Sequence, residues 1–446
     1  MLIFVKQGKG IIPDVSRSNF LNLRFFKFSI AIIRMKILLS VINILMLTLA
    51  LHAAVPETDS IPQKNSPYPK SALLSYQYGK VIQTHDFVKG ENPNQEAYEN
   101  FMAFTGEFGI HTDGRKLWQQ LYHYPIWGFG LYKGFLLNDY DELGNPLATY
   151  AFFKAPFKRW KKWSIDYNVG FGVSFNWNKH DIIEDGQYFY PIGTFSTIYF
   201  AFSLGANIQI SKHLDLNAGL TYTHFSNGAV KLPNLGINFW SPQISLQYIF
   251  NERPEFIHQE KPHYLKEWEW IVILAPAFRQ VSYEFDDNGT KNAIAFDYSV
   301  LTFSTSFNRQ FTHLVKFGAG FDLTYNEAYG AEIDKDEDGN PVKDEDGNPV
   351  KGPSLPYSDQ LLVGVYPAFE LIINKLSMVV QSGFYVYRKD IPVTDAPTTY
   401  QRIGLKYHFA DHFILGLNIR AYNFSKADFI EWVIGYRIKW QKSYRK

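Results

Sequence analysis

The stretch Trp163-Ser-Ile-Asp-Tyr-Asn-Val-Gly-Phe-Gly-Val-Ser-Phe-Asn176 alternates without a break between two kinds of side chain. Every odd position carries a large apolar residue, and every even position carries a small or polar one. Side chains two residues apart share one face of a strand, so the stretch predicts a strand with one apolar and one polar face. Residues 198–210 repeat the pattern.

The length of these runs favours a membrane barrel over a soluble β-sandwich. A strand that crosses hydrocarbon needs about 9–11 residues, apolar towards lipid and polar towards the lumen. A sandwich rarely sustains so sharp a contrast with so many large aromatic side chains. We therefore expect an all-β fold, an antiparallel transmembrane barrel of the bacterial outer membrane.

The composition agrees with this interpretation. Aromatic residues make up 17% of the 446-residue chain and hydrophobic residues 46%, yet the mean hydropathy is slightly negative, so apolar and polar residues must be interleaved. The 44 basic and 43 acidic residues nearly balance, so nothing indicates a nucleic-acid partner. The absence of cysteine excludes thiolate metal sites and a cysteine nucleophile.

One long apolar block lies near the start of the chain. Met35 and Lys36 precede the apolar run Ile37–Leu51, and small residues follow it. This order predicts a secretory signal peptide cut after Ala53 or Ala54, with a single membrane anchor as the alternative. We interpret residues 1–34 as an upstream extension, with Met35 as a candidate true start. Residues 1–53 are thus expected to comprise the upstream extension and the signal peptide.

The alternating runs fall into two groups. Eight runs lie between residues 73 and 250, about eight more begin at Trp268, and the charged segment Asn251–Lys266 between them does not alternate. We divide the chain into a first eight-strand region at 70–251, a linker at 252–266 and a second region at 267–446. The aromatic finish Tyr248-Ile-Phe250 favours two small barrels in tandem, whereas the rarity of such tandems favours one wide barrel of about 16 strands. We expect the single wide barrel.

A tandem repeat marks the longest connection, Asp334–Gly352. The sequence Lys-Asp-Glu-Asp-Gly-Asn-Pro-Val occurs at 335–342 and again at 343–350. Some of its acidic residues fit the spacing of a calcium-binding loop, but Pro341 lies mid-loop and strands rather than helices flank it. We expect a solvated extracellular loop.

The seventh run, Leu214 to Gly228, carries the candidate chemistry. Its apolar face continues with the same parity to His224 and Ser226. Polar groups that face lipid cost free energy unless they lie near the interface. One interpretation is that the strand has simply reached the headgroup zone. The other is a serine nucleophile with a histidine base, placed where a membrane lipid presents an ester.

The residues around this pair resemble a known signature, His224-Phe-Ser226-Asn227-Gly228 followed by Lys231-x-Pro233-Asn234-x-Gly236-Ile237-Asn238. The signature is that of PagL-type lipid A 3-O-deacylases, also called acyloxyacyl hydrolases, and the resemblance covers about residues 73–250. It implies an outer-membrane enzyme that removes an ester-linked acyl chain from lipid A without a metal or organic cofactor. It also implies that His224 and Ser226 are the catalytic pair.

The third catalytic position departs from the family pattern. The family usually has Glu there, and this chain has Asn238. An amide can accept a hydrogen bond from the histidine and fix its tautomer, but it cannot stabilise an imidazolium as a carboxylate does. A lower rate is therefore expected. The backbone N–H of Asn227, directly after the nucleophile, is a candidate oxyanion donor.

Strand parity places this site in the correct leaflet. With a periplasmic N-terminus, odd-numbered strands run outward, so the seventh strand ends at the outer leaflet, where lipid A resides. The partners expected are thus lipid A, as part of lipopolysaccharide, and the surrounding outer-membrane lipids.

Two rival functions remain open at this point. One is a passive barrel, either porin-like or structural, and the other is an acyltransferase, which would need an acceptor site. The second half offers no catalytic constellation, and we expect its polar lumen residues to form a wet or salt-bridged interior: Arg402, Lys406, Arg420, Glu431, Arg437 and Lys439.

Overall fold

The computed structural model describes residues 67–441, except 140, 181–189, 251, 265, 288–289, 338–340, 346, 391–396, 410 and 424–425. The expected signal peptide, its cleavage site and the candidate start at Met35 lie outside these residues. Within the described part of the chain, no helix is long and apolar enough to cross a bilayer.

The first half folds into a closed antiparallel barrel of eight strands. The strands are β1 (Lys70–Ile82), β2 (Asn100–His111), β3 (Ile126–Leu136), β4 (Gly144–Arg159), β5 (Trp163–Trp177), β6 (Thr197–Gln209), β7 (Leu214–Ser226) and β8 (Ile237–Ile249). Two short helices lie in the connections, α1 (Asp86–Lys89) and α2 (Leu117–Leu121).

The second half forms another closed antiparallel barrel of eight strands. They are β9 (Glu267–Asp287), β10 (Thr290–Gln310), β11 (Val315–Asn326), β12 (Leu361–Ile373), β13 (Leu376–Tyr387), β14 (Thr399–Phe409), β15 (Phe413–Tyr422) and β16 (Lys426–Gln441). A single 3-10 turn at Tyr357–Gln360 precedes β12.

The expected all-β outer-membrane barrel fold is confirmed, but the preference for one wide barrel is wrong. Strand β8 pairs with β1 from Ser71↔Ile249 to Ile82↔Asn238, and β16 pairs with β9. Each set of eight strands therefore closes on itself and leaves no edge strand unpaired. A barrel of eight strands has an interior that side chains can fill. In the sequence, the aromatic finish Tyr248-Ile-Phe250 of β8 correctly favoured two barrels. The division at 70–251, 252–266 and 267–446 remains our proposal.

The outer wall of each barrel is apolar. Leu74 on β1 and Ile434 on β16 are 65% and 56% exposed, and large exposed apolar side chains recur at alternate positions around both barrels. The opposite face of the same strands is buried and rich in hydroxyl and amide groups, for example Ser75, Thr221 and Ser245. This is the alternation expected of a wall that faces lipid.

The lumen of the second barrel is filled by layers of buried ion pairs. In one layer, Lys316 contacts Glu269 and Glu370, and Glu370 also binds Lys406 at 2.7 Å. In another, Arg402 and Arg420 share Glu431 at 2.6 and 3.2 Å. The structure thus shows the salt-bridged interior that the sequence predicts.

The lumen of the first barrel is filled differently. Aromatic rings form its core near the end where β7 stops, and they include Phe101, Tyr132, Tyr199, Phe225 and Phe239.

Connection lengths distinguish the two ends of each barrel. Most long connections follow odd-numbered strands, at 83–99, 178–196, 227–236 and 327–360, whereas turns at 160–162, 210–213, 311–314 and 374–375, after even-numbered strands, are short. The exceptions are the connection at 112–125, which follows β2, and the short links after β9 and β15. Outer-membrane barrels have short periplasmic turns and longer extracellular loops. The end of β7 and the tandem-repeat loop therefore both lie at the extracellular end.

The calcium alternative finds no support in the described part of the repeat loop. Asp338 and Gly339 lie outside the described residues, and no group of acidic or histidine side chains that could hold a metal was found among the residues the structure describes.

Candidate active site

Strand β7 positions the candidate pair on the outer wall. Its register pairs Ile198 with Ser226 and Phe200 with His224 on one side, and His224 with Asn238 on the other. Thr223 and Phe225, which alternate with the pair, are buried towards the lumen. His224 and Ser226 therefore lie side by side on the outward face, at the extracellular end of the strand.

A hydrogen-bond network fixes the imidazole of His224. Its Nδ1–H donates to Asn238 Oδ1 at 2.6 Å. The hydroxyl of Tyr222, two residues earlier on the same face, donates to the same oxygen at 2.6 Å. Asn238 Nδ2 in turn donates to Thr84 Oγ1 at 3.3 Å. These partners hold the amide oxygen against the ring, so the proton stays on Nδ1 and Nε2 is left as the basic nitrogen.

Ser226 lies in a recess of the wall. It is only 7% exposed although it faces outward, and among the described residues its hydroxyl makes no hydrogen bond. Its Cα is two strand residues from that of His224, about 6.5–7 Å away. A serine–histidine contact would require the side chains to turn towards each other, and such contacts are often long in unliganded hydrolases.

Gly236, at the start of the return into β8, packs closely against both residues. A Cβ built there would lie 3.1 Å from His224 Cε1 and 3.6 Å from Ser226 Cβ. The φ of Gly236 is +71°, a conformation that favours glycine. A side chain at this position would crowd the imidazole of His224, so both the close packing and the backbone conformation favour glycine here.

The loop 227–236 is held by its own amide side chains. The backbone N–H of Asn227 donates to Asn234 Oδ1 at 2.8 Å, and Asn227 Nδ2 donates to the carbonyl of Lys231 at 2.6 Å. The N–H that we expect to bind an oxyanion therefore already has an acceptor. It could take that role only if the side chain of Asn234 moved away.

A second histidine supports the site from the connection between β1 and β2. His85 Nε2–H donates to the carbonyl of Gly236 at 3.0 Å. Burial lowers the pKa of His85, outweighing that hydrogen bond and the nearby carboxylate of Asp86, which act in the opposite direction. A neutral His85 thus anchors the residue that packs against His224 and Ser226.

The predicted residues His224, Ser226, Asn227 and Asn238 lie together at this end of β7, but three side chains that contact them or their loop were not predicted. Tyr222 could have been found, because it shares the parity of His224 on the same run. Thr84 and His85 could not, since only closure of β8 onto β1 brings their connection to the site.

Comparison with protein families matches both halves of the chain. Residues 104–247 match the family model described as lipid A 3-O-deacylase (PagL). Residues 268–440 match the model described as the C-terminal domain of acyloxyacyl hydrolase. The comparison with curated proteins found no match.

Solved structures of outer-membrane barrels resemble the chain only distantly. A crystal structure of the outer-membrane enzyme PagL shares 16% identity over 39% of this chain and 97% of its own, with a TM-score of 0.26. The Ralstonia pickettii toluene transporter TbuX shares 10% identity over 84% and 90%, with a TM-score of 0.16. CdiB from Acinetobacter baumannii shares 10% identity over 84% and 60%, also with a TM-score of 0.16. At these TM-scores the likenesses carry no further argument.

Proposed function

Because the first half of this integral outer-membrane protein belongs to the PagL-like family of lipid A 3-O-deacylases and acyloxyacyl hydrolases, we propose that it is an esterase that removes an ester-linked acyl chain from lipid A. The observation that carries the proposal is the placement of His224 and Ser226. An imidazole with Nδ1 fixed by Asn238 lies beside an alcohol on the lipid-facing wall, at the extracellular end of β7. Lipid A that diffuses in the outer leaflet can reach this point without leaving the membrane.

The mechanism proposed is nucleophilic catalysis through an acyl-enzyme. Ser226 Oγ attacks the ester carbonyl while His224 Nε2 takes the hydroxyl proton. The tetrahedral intermediate collapses, the bond to the sugar oxygen breaks, and the imidazolium returns its proton to that oxygen. Water, deprotonated by His224, then attacks the acyl-enzyme. The bond between the acyl carbon and Ser226 Oγ breaks, His224 returns the proton to Oγ, and the fatty acid is released. The chemistry needs no metal or organic cofactor.

Asn238 has a positioning role in this mechanism. Its oxygen holds His224 in the tautomer that can act as a base, but it carries no charge to stabilise the imidazolium. We therefore expect slower turnover than a carboxylate would give. The backbone N–H of Asn227 remains our proposal for the oxyanion donor, and it requires Asn234 to release it.

The main alternative is a passive barrel, and the lumen of the second half argues against a pore. Glu269, Glu370 and Glu431 are completely or almost completely buried, and each is bonded to cationic side chains across the lumen. An open porin keeps a water-filled channel instead. The substitution of Asn238 for the usual acid is the feature that favours an inactive barrel.

The test is the mass of lipid A from a Gram-negative host that lacks such an activity. Expression of the wild-type chain should remove one acyl chain, with the 3-O-linked chain as the family's preference. Ser226→Ala should leave lipid A intact, since loss of a nucleophile removes about 10³-fold or more of the rate. Ser245→Ala, a buried serine of the lumen face of β8, is the matched control and should behave as the wild type.

Two results would overturn the proposal. If the wild type folds in the outer membrane and leaves the acyl count unchanged, the chain is a passive barrel. If Ser226→Ala removes the chain as well as the wild type does, another residue is the nucleophile.

A further inference from the structure

The loop 227–236, which follows Ser226, packs directly against the second barrel. A Cβ built on Gly228 would lie 2.5 Å from Ile430 Cδ1, so the backbone of the loop and the side chain of Ile430 are in close contact. Ile430 shares the outward face of β16 with Ile434, yet Ile430 is 4% exposed and Ile434 is 56% exposed. The first barrel therefore covers Ile430, at a point two residues beyond the candidate nucleophile.

A hydrogen bond joins the same two surfaces. The backbone N–H of Leu232 donates to Gln280 Oε1, on the outward face of β9, at 2.7 Å. Gln280 Nε2 in turn donates to Asp297 Oδ1 on β10 at 3.2 Å, which keeps the amide oxygen turned towards the loop. Strand register pairs Phe278 with Ile430, so Gln280 and Ile430 belong to one patch of the second barrel.

The contact with Gln280 continues through one peptide group to the residue after the nucleophile. The carbonyl of Lys231 and the N–H of Leu232 belong to the same peptide group, which is planar and rigid. Its N–H is bound by Gln280, and its carbonyl accepts a hydrogen bond from Asn227 Nδ2 at 2.6 Å. The second barrel therefore fixes the group that holds the side chain of Asn227, directly beside Ser226.

The two halves of the loop are held by different parts of the molecule. The half that leads into β8 is bonded to the connection between β5 and β6: Gly193 N–H donates to the carbonyl of Pro233 at 2.8 Å, and Leu235 N–H donates to that of Pro191 at 2.9 Å. The half next to Ser226 is bonded to the second barrel. The first barrel thus supports one side of the loop and the second barrel supports the other.

The two barrels are also joined at their periplasmic ends. The hydroxyl of Tyr122, directly after α2, donates to the carbonyl of Ile372 on β12 at 2.8 Å. In the linker, Ile257 N–H donates to the carbonyl of Asp113 at 2.8 Å. Contacts at both ends hold the second barrel in one place against the first, so the patch of Gln280 and Ile430 is a fixed support for the loop.

We propose that the second barrel positions the active-site loop, and that Gln280 and Ile430 are the positioning residues. The inference rests on the proposed esterase function and assigns the second barrel a role in it. Ile430 supports the backbone at Gly228, and Gln280 fixes the peptide group that holds Asn227. Neither residue touches a reacting atom. Their effect is on the places of Ser226 Oγ and of the Asn227 N–H, and a displacement of about 1 Å can cost about 100-fold in rate.

The first test is the steady-state kinetics of Gln280→Leu, with the purified full-length chain and lipid A in mixed micelles. Leucine has nearly the size of glutamine but cannot accept the N–H of Leu232. We expect kcat to fall by about 10–100-fold with KM little changed, because the variant misplaces the reacting groups and leaves the substrate contacts intact.

A double exchange distinguishes positioning from general damage. Gln280→Glu combined with Asp297→Asn keeps an acceptor for Leu232, and the new amide at position 297 can donate to the other carboxylate oxygen at position 280. The pair of positions also keeps its single negative charge. We expect this double variant to recover most of the kcat that Gln280→Leu loses, which a variant that merely perturbs the barrel surface would not do.

Ile430→Ala tests the apolar part of the patch. It removes the side chain that packs on Gly228 and should also lower kcat with KM little changed. Ile434→Ala is the matched control, since it alters the same residue type on the same face of the same strand where lipid covers it, and it should keep the wild-type kcat. Heat-modified gel migration establishes that each variant is folded.

The outcomes separate this inference from the function on which it rests. If the wild type does not cleave lipid A, both the esterase function and the inference fail. If the wild type is active and folded Gln280→Leu and Ile430→Ala keep its kcat, the esterase stands and the second barrel does not position the loop. A loss in Gln280→Leu that the double exchange does not restore would also overturn the role of Gln280.

Discussion

In the proposed mechanism, the imidazole of His224 and the amide of Asn238 determine how fast the ester is cleaved. Two hydroxyl groups, of Tyr222 and Thr84, hold the amide so that its oxygen faces the ring. This arrangement keeps the proton of His224 on Nδ1 but places no negative charge beside the ring. Both hydroxyls could equally donate to a carboxylate, because the hydroxyl of Thr84 can rotate to become a donor.

We therefore predict that Asn238→Asp increases kcat for lipid A deacylation by at least about tenfold. Aspartate has nearly the shape of asparagine, so it keeps the contact with His224 Nδ1 and adds the charge that stabilises the imidazolium. Asn238→Leu, which removes the acceptor, should lower kcat. Steady-state kinetics in detergent micelles provide the measurement, and a lower kcat for Asn238→Asp would show that the site does not form an imidazolium beside residue 238.

Some residues of the candidate site could be predicted from the sequence. Parity along one run placed His224 and Ser226 on the lipid-facing side, and Asn238 came from the family resemblance. His85 and Thr84 lie far away in the sequence and carry no motif. They reach the site only through strand pairings around the barrels, which alternation within a run does not specify.

The hairpin β7–β8 is the element that assembles the site, and its loop depends on a neighbouring connection. His85 lies between β1 and α1 and donates to the carbonyl of Gly236. The closure of β8 onto β1 therefore serves two purposes: it completes the barrel, and it brings an anchor to the loop beside Ser226.

The lowered pKa of His85 predicts a stability that depends on pH. An unfolded histidine takes up a proton near pH 6.5, whereas His85 in the folded chain does so only at lower pH. Between these two values the unfolded state binds more protons, so the stability of the fold decreases as the pH falls through this window. His85→Gln keeps an amide donor for Gly236 and should lose this part of the pH dependence.

Unfolding midpoints of both chains at pH 7.5, 6.5 and 5.5 provide the measurement. The wild type should lose more stability than His85→Gln on going to pH 5.5. Equal losses would mean that His85 titrates in the folded chain at its ordinary pKa.

The two barrels of the whole molecule are filled by different means, aromatic rings in the first and ion pairs in the second. The sequence predicted the alternating wall and the strand number, but it could not decide between one barrel and two. The same sixteen runs are compatible with both arrangements, and the choice depends on whether β8 pairs with β1 or with β9. Pairing between distant strands makes that choice, and alternation within the runs does not report it. The aromatic finish Tyr248-Ile-Phe250 of β8 was the local feature that favoured two barrels.

The ion pairs of the second barrel predict a closed lumen whose stability depends on its buried charges. Glu431→Ala leaves Arg402 and Arg420 without their shared carboxylate and should destabilise the folded chain by about 3–5 kcal/mol. Glu284→Ala, an exposed position near the extracellular end of β9, is the control and should unfold as the wild type does. Urea unfolding in micelles measures both.

Planar-bilayer recording tests whether ions pass through the same lumen. The wild type should show no stable porin-like conductance, because the side chains bonded across the lumen occupy the path of an ion. Stable conductance steps in the wild type would favour the passive-pore alternative.

The central claim, that Ser226 is a nucleophile activated by His224 on the bilayer side of the wall, is tested most directly by covalent labelling. The purified full-length chain in detergent is incubated with a long-chain alkyl fluorophosphonate, and its intact mass and peptide map are recorded. We expect one phosphonyl adduct per chain on Ser226, slower labelling of His224→Ala and no labelling of Ser226→Ala. An adduct on another residue, or equal labelling of Ser226→Ala, would contradict it.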